Sequence, residues 1–123
     1  MAWNLDSDRP IYAQILERIQ MQIISGVYKP GEKMPSVREL AAEAGVNPNT
    51  MQKALSELER SGLVTAIRTS GRVVTEDERM ITETRNKLAG EQIKEFMQKM
   101  YELGFKKEDI LALLQKEAGG ENL

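Results

Sequence analysis

The sequence predicts a mainly α chain carrying one small β-hairpin, and three observations predict it. Residues 36–62 place helix-start and helix-stop signals around a single glycine. Apolar residues before and after that stretch recur at helical spacing. Between residues 63 and 75 the helical period gives way to two short β-favouring runs on either side of a glycine-containing loop.

The first helix is expected from Pro10 to about Ser25. Ile11, Ile15, Ile19 and Ile23 fall four residues apart, with Leu16 and Ile24 beside them, which makes one buried stripe. Gly26 ends it, Tyr28-Lys29-Pro30-Gly31 reads as a turn, and Met34-Pro35 leads into the next helix.

Ser36 followed three residues later by Glu39 is a capping box, in which each side chain satisfies the other residue's free backbone N–H. Leu40, Ala41 and Ala44 give this helix an apolar face, and Gly45 supplies a left-handed C-terminal residue at little cost. Val46 plugs the corner. Asn47 is a good N-cap and Pro48 suits the first helical position, where its missing N–H would be unpaired anyway. Met51, Ala54, Leu55 and Leu58 form the buried face of the following helix, and Gly62 stops it. Ala41 and Gly45 lie where the two helices approach most closely, so a larger side chain at Ala41 would push the helices apart and a β-branched one at Gly45 would strain the turn. By itself the pattern fits either an αα-hairpin packed in a core or a helix-turn-helix whose second helix enters a DNA major groove.

Leu63–Arg68 and Arg72–Thr75 are the expected strands, joined by Thr69-Ser70-Gly71. A hairpin directly after such a helix pair is the wing of a winged helix. Arg68 and Arg72 flank its tip, where they either reach phosphates or a minor groove, or merely solubilise a hairpin that closes the core.

Beyond the wing, residues 76–104 read as one long helix with Ile81, Thr84, Leu88, Ile93, Phe96, Met97 and Met100 on its apolar face. Gly90 is expected to kink it and Gly104 to cap it. A last helix carries Ile110, Leu111, Leu113 and Leu114, and order is expected to end at Gly119-Gly120. The expected division is a winged helix-turn-helix over 1–75 and a two-helix tail over 76–123. The tail is too short to build an independent ligand-binding domain and too apolar to stand in water. Pairing with the tail of a second copy is the expected solution, the other being to fold back on its own winged helix. Met80, Met97 and Met100 beside Phe96 and Tyr101 suit core packing or an adaptable pocket.

Composition bounds the function. Residues 1–75 hold nine Lys/Arg and eight Asp/Glu, a net of +1, and residues 76–123 hold eight and eleven, a net of −3. A general, sequence-blind nucleic-acid binder would be far more basic. The chain has no cysteine and no histidine, which removes thiol nucleophiles, thiolate zinc sites and the usual general base. Glu17, Glu39, Glu43, Glu57 and Glu59 read as solvated helix faces, not as a paired-carboxylate site. No catalytic residue, metal or cofactor is expected. With no signal peptide and no membrane-spanning run, the expected location is cytoplasmic.

The run Pro10-Ile11-Tyr12, then Gly26-x-Tyr28-x-Pro30-Gly31-x-x-Met34-Pro35-Ser36-x-Arg38-x-Leu40-Ala41, Gly45-Val46-Asn47-x-Asn49-Thr50, and Ala54-Leu55-x-x-Leu58-x-x-x-Gly62-Leu63-Val64 resembles the GntR family of bacterial transcriptional regulators. The short tail resembles that of its YtrA-like branch. The resemblance implies a winged helix that binds DNA as a dimer. It also implies that Arg38 contacts operator DNA, that Asn47, Asn49 and Thr50 contact bases and phosphates, and that Gly71 is a wing glycine. Gln52 and Lys53 lie one turn deeper, where Gln pairs with adenine and Lys reaches phosphate or guanine. Many relatives have arginine where Pro48 or Gln52 stands here, and a wing richer in glycine than Ile67-Arg68-Thr69-Ser70-Gly71-Arg72-Val73-Val74.

The expected activity is therefore a sequence-specific regulator, a repressor by default. It would place two third helices of a homodimer on a palindromic double-stranded operator, with Arg38, Lys53, Arg68 and Arg72 on the backbone and Asn49, Thr50 and Gln52 on bases. A small-molecule effector is left open, its expected place being between the tail and the winged helix. The alternative from another class is a winged helix used for protein interaction without DNA.

Overall fold

The computed structural model describes residues 3–68 and 71–119, so Thr69 and Ser70 of the expected loop, and Gly120, lie outside the described residues. The elements run α1 (Ile11–Ile24), α2 (Val37–Ala44), α3 (Pro48–Ser61), β1 (Val64–Ile67), β2 (Gly71–Val74), α4 (Glu78–Glu102) and α5 (Lys107–Glu117). They group into two compact units, Met1–Arg85 and Asn86–Leu123.

In the first unit α3 is the central element, packed against α1, α2 and β1. The stripe on α1 buries Ile15, Ile19 and Ile23, with Ile11, Leu16 and Ile24 partly covered. They meet Leu40, Ala41 and Ala44 of α2 and Met51, Ala54, Leu55 and Leu58 of α3. Each fully buried aliphatic side chain contributes about 2 kcal/mol by leaving water. β1 and β2 pair antiparallel, Val64 opposite Val74 and Ile67 opposite Gly71. Val64 and Val74 face the core while Thr65, Ala66 and Ile67 stay exposed.

Two features extend this unit beyond the sequence reading. The segment before α2 lies along the free edge of β2: Met34 N–H donates to the Arg72 carbonyl at 2.8 Å and Val74 N–H to the Glu32 carbonyl at 2.9 Å. The wing is thereby stitched to the start of the helix pair. The chain ahead of α1 also packs down. Trp3 is 8% exposed, its backbone N–H donates to the Ala44 carbonyl, its indole N–H donates to Glu43 Oε2 at 3.0 Å, and the Arg18 guanidinium lies 4.7 Å above its ring. Gln14 completes the arm by bonding Asp6 at both its amide N–H and its carbonyl.

The first unit reaches Arg85, and Met80 and Ile81 join its core. Gly62 shows how close that packing is. It adopts φ +91°, and an added Cβ would meet Met80 Cε at 3.1 Å.

α4 runs unbroken through Gly90, where a kink was expected. A glycine in a helix interior costs only about 1 kcal/mol, and the strong helix formers around it hold the ladder. In the second unit Gly104 adopts φ +96° after α4, and Phe105 N–H returns to the Met100 carbonyl. Ile110 of α5 is fully buried, whereas Ile93, Phe96, Tyr101, Leu111 and Leu114 are exposed. Met97 and Met100 are half-buried.

Candidate nucleic-acid interface

The site is built from the ends of three elements. At the start of α2 both halves of the capping box form: Glu39 N–H donates to Ser36 Oγ at 3.1 Å, and Ser36 N–H donates to Glu39 Oε1 at 3.0 Å. That backbone bond, then the Ser36 hydroxyl, holds the Glu39 carboxyl below its ordinary pKa. Arg38, between the two partners, is left exposed and makes no ion pair among the described residues.

Gly45 ends α2 at φ +74°, and its N–H and that of Val46 both return to the Ala41 carbonyl. Ala41 is 2% exposed and belongs to the core shared with α1 and α3. Asn47 then caps α3, its Oδ1 accepting from Asn49 N–H at 2.7 Å. The cap occupies Asn47 Oδ1.

Along the outer face of α3, Asn49, Gln52 and Lys53 are exposed and Thr50 is half-buried. Gln52 Nε2 donates to Ser56 Oγ at 3.2 Å, one turn on. The Lys53 ammonium sits 3.9 Å from the centre of the Tyr12 ring on α1. Met51, Ala54, Leu55 and Leu58 on the other face are fully buried, so α3 cannot rotate without exposing core.

The wing supplies the third edge. Arg68 is exposed at the end of β1, and Gly71 opens β2 at φ +83° with open space where a Cβ would stand. Glycine is needed there for the backbone conformation, not for room. Arg72 differs from the expectation of a free tip arginine, because its guanidinium bonds the Glu59 carboxylate of α3 and its side chain is only 17% exposed. Glu59, expected as a solvated carboxylate, is itself half-buried by this pair.

The structure thus brings Arg38, Gly71 and Arg72 to one surface cleft of about 520 Å³, joined by Lys33 and Ser36. Lys33, in the edge segment beside β2, was not singled out from the sequence, where it is one more charge in a turn. Asn47 and Thr50 border a second cleft of about 360 Å³ against Trp3, Leu5 and Ile11. No group of three His, Cys, Asp or Glu among the described residues is placed to hold a metal ion. No helix is long and apolar enough among them to cross a membrane.

A capped helix pair with a small-residue corner, a polar outer face on its second helix and a hairpin stitched beside it define a winged helix-turn-helix protein. Residues 11–74 match the family model described as bacterial regulatory proteins of the gntR family. The chain is 39% identical over 92 residues to the HTH-type transcriptional repressor YtrA of Bacillus subtilis, covering 74% of this chain and 71% of that protein. It superposes on a GntR family transcriptional regulator from Listeria monocytogenes with a TM-score of 0.86 at 40% identity, over 91% of this chain and 98% of that one. The DNA-binding domain of AraR in complex with operator ORX1 matches 61% of this chain and 92% of its own, at 32% identity and a TM-score of 0.53. The chain belongs to the GntR family, in its YtrA-like branch, and is a DNA-binding transcriptional regulator.

Proposed function

We propose that the chain is a repressor that binds a palindromic double-stranded operator as a homodimer, in the cytoplasm, with α3 in the major groove and the wing alongside. The observation that carries this reading is the division of α3 into two faces. Its apolar side is wholly buried, while Asn49, Gln52 and Lys53 are exposed on the opposite side. These side chains are suited to base edges and phosphates and poorly suited to a protein partner, whose face would need aromatic or aliphatic anchors.

Arg38, Lys53 and Arg68 are the proposed phosphate contacts, and Asn47 and Gly71 are proposed to add contacts at the start of α3 and at the wing. Arg72 lines the cleft while bracing the wing. Asn49, Thr50 and Gln52 are the proposed base readers. The exposed apolar residues Ile93, Phe96, Leu111 and Leu114 support pairing of two tails, and a dimer on a palindrome would read two half-sites about one DNA turn, roughly 34 Å, apart. A dimer so placed beside a promoter blocks polymerase.

The test is a salt titration of binding to the DNA upstream of the chain's own gene, against an unrelated duplex of equal length. Six phosphate contacts per dimer give a log–log slope of about −5. Equal affinity for both duplexes at all salt concentrations would reject sequence-specific regulation.

A further inference from the structure

We infer that Tyr12 is a positioning residue for the DNA-binding face, holding the Lys53 ammonium over its ring so that the lysine meets a phosphate already ordered. The inference rests on the DNA-binding reading of α3 and adds a residue of α1 to it.

Lys53 is the lysine of α3, and its Nζ lies 3.9 Å from the Tyr12 ring centre, well inside cation–π range. It forms no ion pair among the described residues. The other basic side chain of α3, Arg60, is paired with Glu57, and Arg72 of the wing is paired with Glu59. A carboxylate partner orders a cation but cancels the charge that a phosphate needs. An aromatic face orders it and leaves the charge in place. A free lysine has several rotatable bonds to immobilise on binding, and fixing them in advance removes part of that cost.

The ring is itself well held. Tyr12 is half-buried in the first turn of α1, between Ile11, which packs on the core, and the turn carrying fully buried Ile15. α1 and α3 pack directly on one another. The platform is therefore fixed to the helix it serves.

The experiment has two arms on the full chain. In the free protein, the Lys53 side-chain protons are read by NMR. They should be shifted upfield by the ring, keep that shift in Tyr12→Phe, and lose it in Tyr12→Leu. In the DNA arm, a duplex of the upstream DNA and a random duplex at low salt are titrated with wild type, Tyr12→Phe, Tyr12→Leu, Lys53→Met and Tyr12→Leu/Lys53→Met, each first checked for a cooperative melt.

Tyr12→Phe should bind as wild type. Tyr12→Leu should bind roughly three- to fivefold more weakly per half-site, the range for an exposed cation–π pair, with its salt slope kept. Lys53→Met should flatten the slope by about one per protomer, and Tyr12→Leu should then cost nothing further. Equal losses in Tyr12→Phe and Tyr12→Leu would make the hydroxyl a direct contact and overturn the inference. So would a Tyr12→Leu loss that persists undiminished beside Lys53→Met, or the absence of an upfield shift. Failure of the wild type to bind either duplex overturns the DNA reading and this role with it, and is told apart by a ring shift that stays intact in the free protein.

Discussion

The Arg72 guanidinium on β2 bonds the Glu59 carboxylate in the last turn of α3, tying the wing to that helix. The pair is well shielded, with Arg72 17% and Glu59 31% exposed, so it is screened less than a surface pair and holds the hairpin at one distance from α3. Glu59→Ala leaves a largely covered cation without its partner. The expected cost is about 1–3 kcal/mol, read as a lower midpoint in urea with unchanged m-value. Glu59→Ala should also loosen the wing, which hydrogen exchange of the β1 and β2 amides would register.

Charge already neutralised by a carboxylate contributes little to counterion release. Arg38→Ala is therefore expected to weaken binding to all duplexes and flatten the salt slope by about one per protomer, while Arg72→Ala changes the slope less. Gln52→Ala should act differently again, losing about 1–3 kcal/mol of discrimination at the bases it reads and leaving binding to random DNA nearly intact. Fluorescence anisotropy over a series of single-base operator variants separates these outcomes. A uniform loss for Gln52→Ala would remove it from the base readers.

The helix pair was legible because its signals are local. Ser36 and Glu39, Gly45, and Asn47 with Pro48 each act within three residues, and the structure shows those caps as written. The isoleucine stripe was legible from its period. What escaped depends on partners far apart in sequence. Trp3 meets Glu43 across 40 residues and Arg72 meets Glu59 across 13, with no period to announce either pair. Residues 3–9 have no helical or alternating pattern, so their packing over α1 and α2 had no signature. Lys33 became part of the cleft only because the Glu32–Met34 backbone pairs with β2.

The capping box carries a pH signature. Glu39 in the folded chain holds its proton less tightly than in the unfolded chain, because the Ser36 N–H and hydroxyl favour the carboxylate. Its stabilising effect is therefore fully present above the ordinary glutamate range and is lost as pH falls through that range to the depressed folded-state value. Glu39→Gln keeps a box-forming side chain but cannot titrate. Melting temperatures of the two proteins should differ above that range and converge toward acid. Ser36→Ala, which removes the cap itself, should cost about 1 kcal/mol at neutral pH.

The corner of the helix pair is expected to accept nothing larger than a methyl group. Ala41 is 2% exposed and its carbonyl accepts from both Gly45 and Val46. Ala41→Leu is expected to destabilise by about 1–3 kcal/mol through overpacking. It should also lower operator affinity by more than its stability loss predicts, since it tilts α2 away from α3 and moves Arg38 relative to Gln52. Ala41→Gly, which opens no clash, should lose stability and keep affinity among the folded fraction. Equal operator affinity for folded Ala41→Leu and wild type would show that the angle of the pair is not what the DNA requires.

The proposed pairing of the tails makes the last prediction. Ile93, Phe96, Leu111 and Leu114 are 59%, 39%, 52% and 39% exposed, an apolar surface that a solitary chain would leave in water. Replacing Phe96 and Leu114 with Glu places like charges across a two-fold interface, so it should give a monomer by sedimentation at concentrations where wild type is dimeric. The first unit should melt as before, because neither residue belongs to it. Operator affinity should fall by at least a hundredfold, since each half-site would bind alone and lose the effective concentration that the second supplies. A half-site duplex should be bound almost equally by both proteins. If the double variant stays dimeric, the interface lies elsewhere. If it is monomeric yet binds the full operator as wild type does, the chain reads DNA one protomer at a time.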